Sequence, residues 1–254
     1  MHWYTQSGEP RYEQLTQKGG LRSTDLRDAR KQGLVPSVTT VLAVVAKPQL
    51  ENWKREQAVM AALTLPRREG ESEKSWLYRI DMDSRAQTEA AASEGNRIHD
   101  AIEAYYKDGY PTSGPYIKHV RATVAEIKRL YPEVKDWRSE DSFAHPSGYG
   151  GKVDLHSPSA GIVIDFKGKD GDFSDGKKLA YDQHWQLAAY QRGLRLPVAP
   201  CANLFVSRTH PGKVASHVWT PDDIAEGWEV FAAALGLWKA LKRLDTSFST
   251  QKAA

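Results

Sequence analysis

Two aspartates and a lysine stand at spacings that suit phosphoester chemistry. In Ile162-Val163-Ile164-Asp165-Phe166-Lys167, strand alternation puts Ile162, Ile164 and Phe166 on one face and Asp165 and Lys167 on the other. In Gly150-Gly151-Lys152-Val153-Asp154-Leu155, Val153 and Leu155 face a core, Lys152 and Asp154 point away, and the glycine pair permits a close backbone approach. If the two segments pair as a hairpin through residues 156–161, the aspartates meet on one face. Two carboxylates beside an ammonium suit a hard divalent cation and an attacking water. Magnesium takes oxygen ligands and keeps waters for a phosphate, and cation and ammonium both offset charge developing on a phosphoryl oxygen. An isolated Asp-x-Lys is an ordinary surface ion pair. The aspartate eleven residues upstream, the glycines before it and a helix afterwards set this one apart.

The elements that must position these groups follow from periodicity. Residues 1–35 are polar and form an N-terminal extension draped on the domain, with one short helix at 25–32, opened by Thr24 and closed by Gly33. Residues 36–63 read as a helical hairpin or broken helix, interrupted at Pro48. A polar connector at 65–72 leads into one or two long helices over 74–107, where Ile98, Ile102 and Tyr105 recur at helical spacing, and another helix spans 116–130. The character then changes to strands at 134–144, 149–155, 162–167, 203–207 and 214–219, with helices at 181–193 and 221–244. Helices first and strands afterwards predict an α/β (α+β) fold with an attached helical subdomain. The expected organisation is an extension (1–35), a helical region (36–132) and a core (133–254) within one composite domain.

Composition narrows the function. The 254 residues carry 35 basic against 32 acidic side chains, a net charge of +3, so nucleic acid, if bound, is bound at a local site rather than by bulk charge. No apolar run approaches membrane-spanning length, which predicts no membrane partner. The single Cys201 rules out an internal disulfide and a multi-thiolate cluster, so any metal is held by oxygen and imidazole. Acidic residues at Glu9, Glu13, Asp25 and Asp28 speak against a mitochondrial import signal.

Taken in order, Gly151-Lys152-Val153-Asp154, Val163-Ile164-Asp165-Phe166-Lys167 and Gln186-Leu187-Ala188-Ala189-Tyr190 resemble the PD-(D/E)XK nuclease superfamily, in particular its RecB-like branch with a Q-x-x-x-Y helix. Gly95-Asn96-Arg97-Ile98-His99 is similar to that branch's G-x-x-x-H helix. With Ser37-Val38-Thr39-Thr40-Val41-Leu42 and Leu50-Glu51-Asn52-Trp53-Lys54, the pattern resembles phage exonucleases and the mitochondrial genome maintenance exonuclease family. The resemblance implies a restriction-endonuclease-like core, a mixed central sheet flanked by helices, and a metal-dependent DNA exonuclease. It implies that Asp154, Asp165, His99 and the Phe166 carbonyl bind Mg²⁺ or Mn²⁺, with Glu140 a secondary candidate. An imidazole ligand suits Mn²⁺ at least as well as Mg²⁺. Catalysis is expected from Asp154, Asp165 and Lys167, the lysine stabilising charge rather than accepting a proton. Glu103, one turn after His99, is a candidate to orient the imidazole.

DNA contacts are expected from Gln186, Tyr190, Arg97, Lys152, Lys169, Lys177 and Lys178, and from Lys54, Arg55 and a stacking ring such as Trp53. The lone Cys201 excludes the relatives that carry an iron-sulfur cluster. The expected setting is a bacterial or phage-encoded cytoplasmic enzyme of recombination or repair, working with DNA and a single-strand-annealing or single-strand-binding protein. A structure-selective endonuclease of the same superfamily and a non-catalytic DNA-binding recombination protein are the rival readings.

Overall fold

A computed structural model describes residues 1–109 and 114–248, so residues 110–113 and 249–254 of the expected helical and core units lie outside the described residues. The N-terminal segment is built into the fold. It forms β1 (Trp3–Tyr4), a hairpin of β2 (Glu13–Leu15) and β3 (Leu21–Ser23), helix α1 (Leu26–Gln32) and β4 (Val35–Pro36), which pairs back on β1. Trp3 is fully buried, its ring edge-on to Trp238 at 5.9 Å. Helix α1 is capped one residue later than the sequence suggests: Asp25, not Thr24, accepts from the Arg27 and Asp28 amides, and Asp28 answers in a capping box. Gly33 closes it in the left-handed conformation, as expected.

The break at Pro48 separates α2 (Val38–Leu42), capped by Ser37, from α3 (Pro48–Thr64), which has proline in its first turn. Residues 74–107 form one helix rather than two: α4 (Glu73–Asp108) starts at the Ser72 cap and runs 36 residues, about 54 Å at 1.5 Å per residue. Helix α5 (Ile117–Leu130) follows.

The sheet comprises β5 (Arg138–His145), β6 (Tyr149–Ser157), β7 (Ile162–Lys169), β8 (Cys201–Ser207) and β9 (Val214–Trp219), in that spatial order, with helix α6 (His184–Gly193) between β7 and β8 and α7 (Pro221–Lys242) at the end. Only the β7–β8 pair is parallel, the crossover being α6, so the sheet is mixed. β5 begins at Arg138 rather than 134. The residues before it are used otherwise: the Asp136 carboxylate accepts from Ser157 Oγ at 2.5 Å and from the Ser159 amide at 2.8 Å, pinning the β6–β7 turn.

Helices cover both faces of the sheet. On one face Val163 packs with Leu187 of α6, Phe231 and Trp238 of α7, and Trp3. On the other, Ile162, Ile164, Phe166 and Leu204 pack with Ile98 and Ile102 of α4 and Val120, Val124 and Ile127 of α5. The alternation read in β7 thus splits the two cores. No helix of the described residues is long and apolar enough to cross a membrane.

Candidate active site

The ladder between β6 and β7 ends at Leu155↔Ile164, so Asp154 and Asp165, one position further along each strand, stand where the two strands part. That opening is the floor of a cleft of about 630 Å³. His99, Glu140, Lys152, Asp154, Asp165, Phe166, Lys167, Gln186 and Tyr190, nine of the residues singled out in the sequence, all line it.

Glycines account for the close approach of several elements. A Cβ on Gly150 would fall 2.9 Å from the Tyr4 side chain, and one on Gly151 would meet Tyr190 at 2.8 Å and Phe143 at 2.9 Å. The Gly150-Gly151 pair therefore lets the N-terminal strand and α6 close on β6 just before Asp154. At the far end of β7, a Cβ on Gly168 would lie 3.3 Å from the Cα of Gly95, so α4 rests almost directly on the strand backbone. One turn beyond Gly95, buried Ile98 and Ile102 anchor α4 on the sheet and aim His99 at the floor.

Around Asp154 the contacts are few. His99 Nε2 lies 2.9 Å from its Oδ2, which also accepts the Phe166 amide at 2.9 Å. The His99 ring stands edge-on to Phe166 at 5.4 Å. Glu140 occupies the β5 position across from Asp154, between the paired residues Ser139↔Leu155 and Asp141↔Val153. Its backbone is left-handed (φ 62°), uncommon for a residue with a side chain, and its carboxylate pairs with Lys152. His99, Glu140 and Asp154 each offer a ligand atom within 4.8 Å of the others. One imidazole nitrogen with two carboxylate oxygens is a donor set for Mn²⁺ or Mg²⁺.

Asp165, only 2% exposed, is enclosed. Lys167 Nζ contacts both of its oxygens, at 2.9 and 2.8 Å; Gln186 Nε2 donates to Oδ1 at 2.8 Å and Asn203 Nδ2 to Oδ2 at 2.8 Å. The network continues outward. Trp219 Nε1 donates to Asn203 Oδ1 at 2.8 Å, Gln186 Nε2 also reaches Tyr190 Oη at 2.9 Å, and Lys167 donates to Gln186 Oε1 at 3.2 Å. Asn203 enters because parallel pairing puts it beside Asp165.

The electrostatics follow burial and neighbours. Burial raises the Asp165 carboxyl above its ordinary value even though Lys167 opposes the shift. Burial pushes Asp154 the same way, but the charge and hydrogen bond of His99, with the Lys167 charge and the Phe166 amide, outweigh it and hold Asp154 low. Burial would depress His99 and Lys167, yet Asp154 raises the imidazole and Asp165 and Asp154 raise the ammonium, so Lys167 stays charged.

Several expected contacts lie elsewhere. The Gln186 amide and the Tyr190 hydroxyl are turned inward on Asp165, and Tyr190 is 5% exposed. Arg97 projects outward and pairs with Glu94, Lys177 pairs with Asp175, and Lys178 stands 5.2 Å above the Tyr181 ring. Neither these three nor Lys169 lines the cleft, nor do Trp53, Lys54 and Arg55 of α3. Glu103 lines it but gives its carboxylate to Lys107 rather than to His99.

Sequence reasoning missed Asn203, Arg208 and the N-terminal residues Tyr4 and Tyr12. Arg208 lines the cleft and, from the end of β8, pairs with Asp170 at the end of β7, at 2.9 and 2.8 Å, and reaches α4 at the Ala91 carbonyl, at 3.1 Å. The polar Asn203 inside an otherwise apolar strand, CANLFVS, was the one available signal.

No known protein-family profile and no curated protein sequence matches the chain. Similar solved structures include a protein of Eubacterium rectale that carries the name exonuclease, at 13% identity and a TM-score of 0.42 over 59% of this chain and 68% of that one. Another is a phage related exonuclease from Haemophilus somnus 129PT, at 13% identity and a TM-score of 0.28 over 57% of this chain and 82% of that one.

Proposed function

We propose that the chain is a divalent-metal-dependent DNA exonuclease that hydrolyses phosphodiester bonds from a free end. The observation that carries the reading is the meeting of Asp154, Asp165, Lys167, Glu140 and His99 at the point where β6 and β7 part. Residues 36–132 then supply the helical wall and the histidine, and residues 133–254 the nuclease core.

A cation held by His99, Glu140 and Asp154 would supply Lewis acidity toward the phosphate and a water of lowered pKa. Lys167, kept protonated by Asp165 and Asp154, offsets the negative charge that grows on the phosphoryl oxygen. The Asp165 oxygens are taken up by Lys167, Gln186 and Asn203, so Asp165 would enter the ligand set of such a cation only if Lys167 gave it up, while Gln186 and Asn203 hold its carboxylate in place. Lys152, 41% exposed and paired with Glu140, is the cleft's candidate for a standing phosphate contact. The requirement for an end rests on the two walls: α4 bounds the cleft on one side and the N-terminal segment on the other, so a strand lies between them.

End-labelled linear DNA and covalently closed circles, single- and double-stranded, tested with Mg²⁺, Mn²⁺ or EDTA, decide the matter. Linear DNA is expected to be shortened only with metal, while circles resist. Rapid cutting of a closed circle would favour an endonuclease, and absence of hydrolysis under every condition would overturn the reading.

A further inference from the structure

The wall of the cleft opposite α4 has a chemistry of its own. It is made by His2, Tyr4, Tyr12, Ser37 and Thr39, rings and hydroxyls without a lysine, arginine or carboxylate, whereas the floor and the α4 side carry Lys152, Lys167, Arg208 and the acids. The wall is also held firmly. Trp3, between two of its members, is buried in the core; Ser37 donates its amide to the His2 carbonyl at 2.9 Å; the His2 amide reaches Thr40 Oγ1 at 3.1 Å; and Arg11 donates its amide to the Trp3 carbonyl at 2.8 Å.

Within it, Tyr12 is fixed from two directions. Its hydroxyl meets that of Tyr4 at 2.6 Å, with the rings edge-on at 5.7 Å, and its ring lies against His2 at 4.6 Å with planes inclined by 32°. Burial, with the adjoining N-terminal ammonium, holds the His2 imidazole below its ordinary value, so the two rings themselves are uncharged at neutral pH. A phosphate seeks cations or amide N–H groups. A rigid, neutral pair of rings facing a cleft offers instead the surface on which a nucleobase stacks, whatever its sequence.

We propose that the Tyr12–His2 ring pair is a stacking platform that receives the nucleobase adjoining the phosphate under attack, and so sets the strand's register over Asp154. The inference rests on the nuclease reading above and names the substrate part that the far wall recognises. It is tested with single-stranded oligonucleotides carrying one abasic (tetrahydrofuran) residue, scanned over the first positions from the labelled end. Wild type, Tyr12→Ala, Tyr12→Phe and His2→Ala are compared for kcat/KM, with thermal unfolding followed in each.

Wild type is expected to lose about tenfold when the abasic residue occupies one particular position, the size of one lost base stack. Tyr12→Ala should lose a similar factor on intact DNA and become indifferent to the abasic residue. Tyr12→Phe, which keeps the ring but loses the hydroxyl contact with Tyr4, should retain the abasic penalty, and His2→Ala should fall between. An abasic penalty of wild-type size in folded Tyr12→Ala and His2→Ala variants overturns the platform while leaving the nuclease reading intact. No cleavage of any single-stranded oligonucleotide by wild type overturns the platform, and the nuclease reading falls with it only if double-stranded linear DNA is also left intact in the presence of metal.

Discussion

Around Asp165 each carboxylate oxygen has its donors: Lys167 and Gln186 on Oδ1, Lys167 and Asn203 on Oδ2, with Trp219 and Tyr190 fixing the amides behind them. Around Asp154, one position from the same strand gap, there is an imidazole, one backbone amide and the open cleft, with Glu140 across the ladder. Residue type is the same and so is the distance from the end of the ladder. What differs is how many partners a cation has to displace. At Asp154 a metal would exchange with the proton of a histidine that could itself become a ligand, whereas at Asp165 it would have to displace the half-buried Lys167 ammonium. On the proposed reading Asp154 is the aspartate open to a cation, and Asp165 is occupied holding Lys167.

The largest expected effect of that difference is on Asp154→Asn. It removes an anionic ligand and the partner of His99, so cleavage of linear DNA should fall by at least about a thousandfold, the upper end of what loss of one transition-state donor costs. DNA binding, measured by fluorescence anisotropy, should survive or tighten as negative charge leaves the floor. Next comes Lys167→Ala, where single-turnover kinetics should show kcat lower by about 10² to 10³. Because the variant frees Asp165 from its ammonium, Mn²⁺ affinity should hold or rise while turnover collapses. A loss confined to KM would instead mark Lys167 as a phosphate-binding residue.

Asn203→Ala is expected to act through Asp165 and Trp219 together. It leaves a buried indole N–H unpaired and removes one donor from a buried carboxylate, a destabilisation of about 1–3 kcal/mol readable as a lower urea midpoint with unchanged slope. Smaller again is the pH effect. Burial lowers His99, but Asp154 and Asp165 together raise it by more, so the metal-free imidazole holds its proton to a pH above the ordinary value of about 6.5. Metal binding requires the neutral ring. Mn²⁺ affinity should therefore weaken by about tenfold per unit as pH falls below that raised value. In His99→Ala the affinity should be lower throughout and this dependence lost.

The placement of the strand-borne groups was legible in the sequence because it rests on local alternation. Asp165 and Lys167 share a face of β7, and the glycines at 150 and 151 mark the close approach before Asp154. Helix boundaries at Pro48 and Gly33 were legible for the same reason, since proline and glycine act on their own backbone. Partners supplied across the fold were not. Asn203 meets Asp165 from 38 residues away through parallel pairing, Arg208 reaches α4 from 117 residues away, and Tyr4 arrives from the first strand. Their types carry no periodic signal. Gln186 and Tyr190 show the converse: four-residue spacing put them on one side of α6, but only tertiary packing decides that this side turns inward to Asp165 rather than outward to solvent.

The difference between the two aspartates is tested most directly by calorimetric titration of Mn²⁺ into the wild-type chain and into Asp154→Asn at one pH near neutrality. Mutating a group behind a metal ligand typically costs 10- to 100-fold in affinity. Loss of the ligand itself is expected to cost more than about 100-fold, with the wild-type protein binding Mn²⁺ in a saturable way. Equal affinity in the two proteins would contradict the account, because the cation would then be held without Asp154.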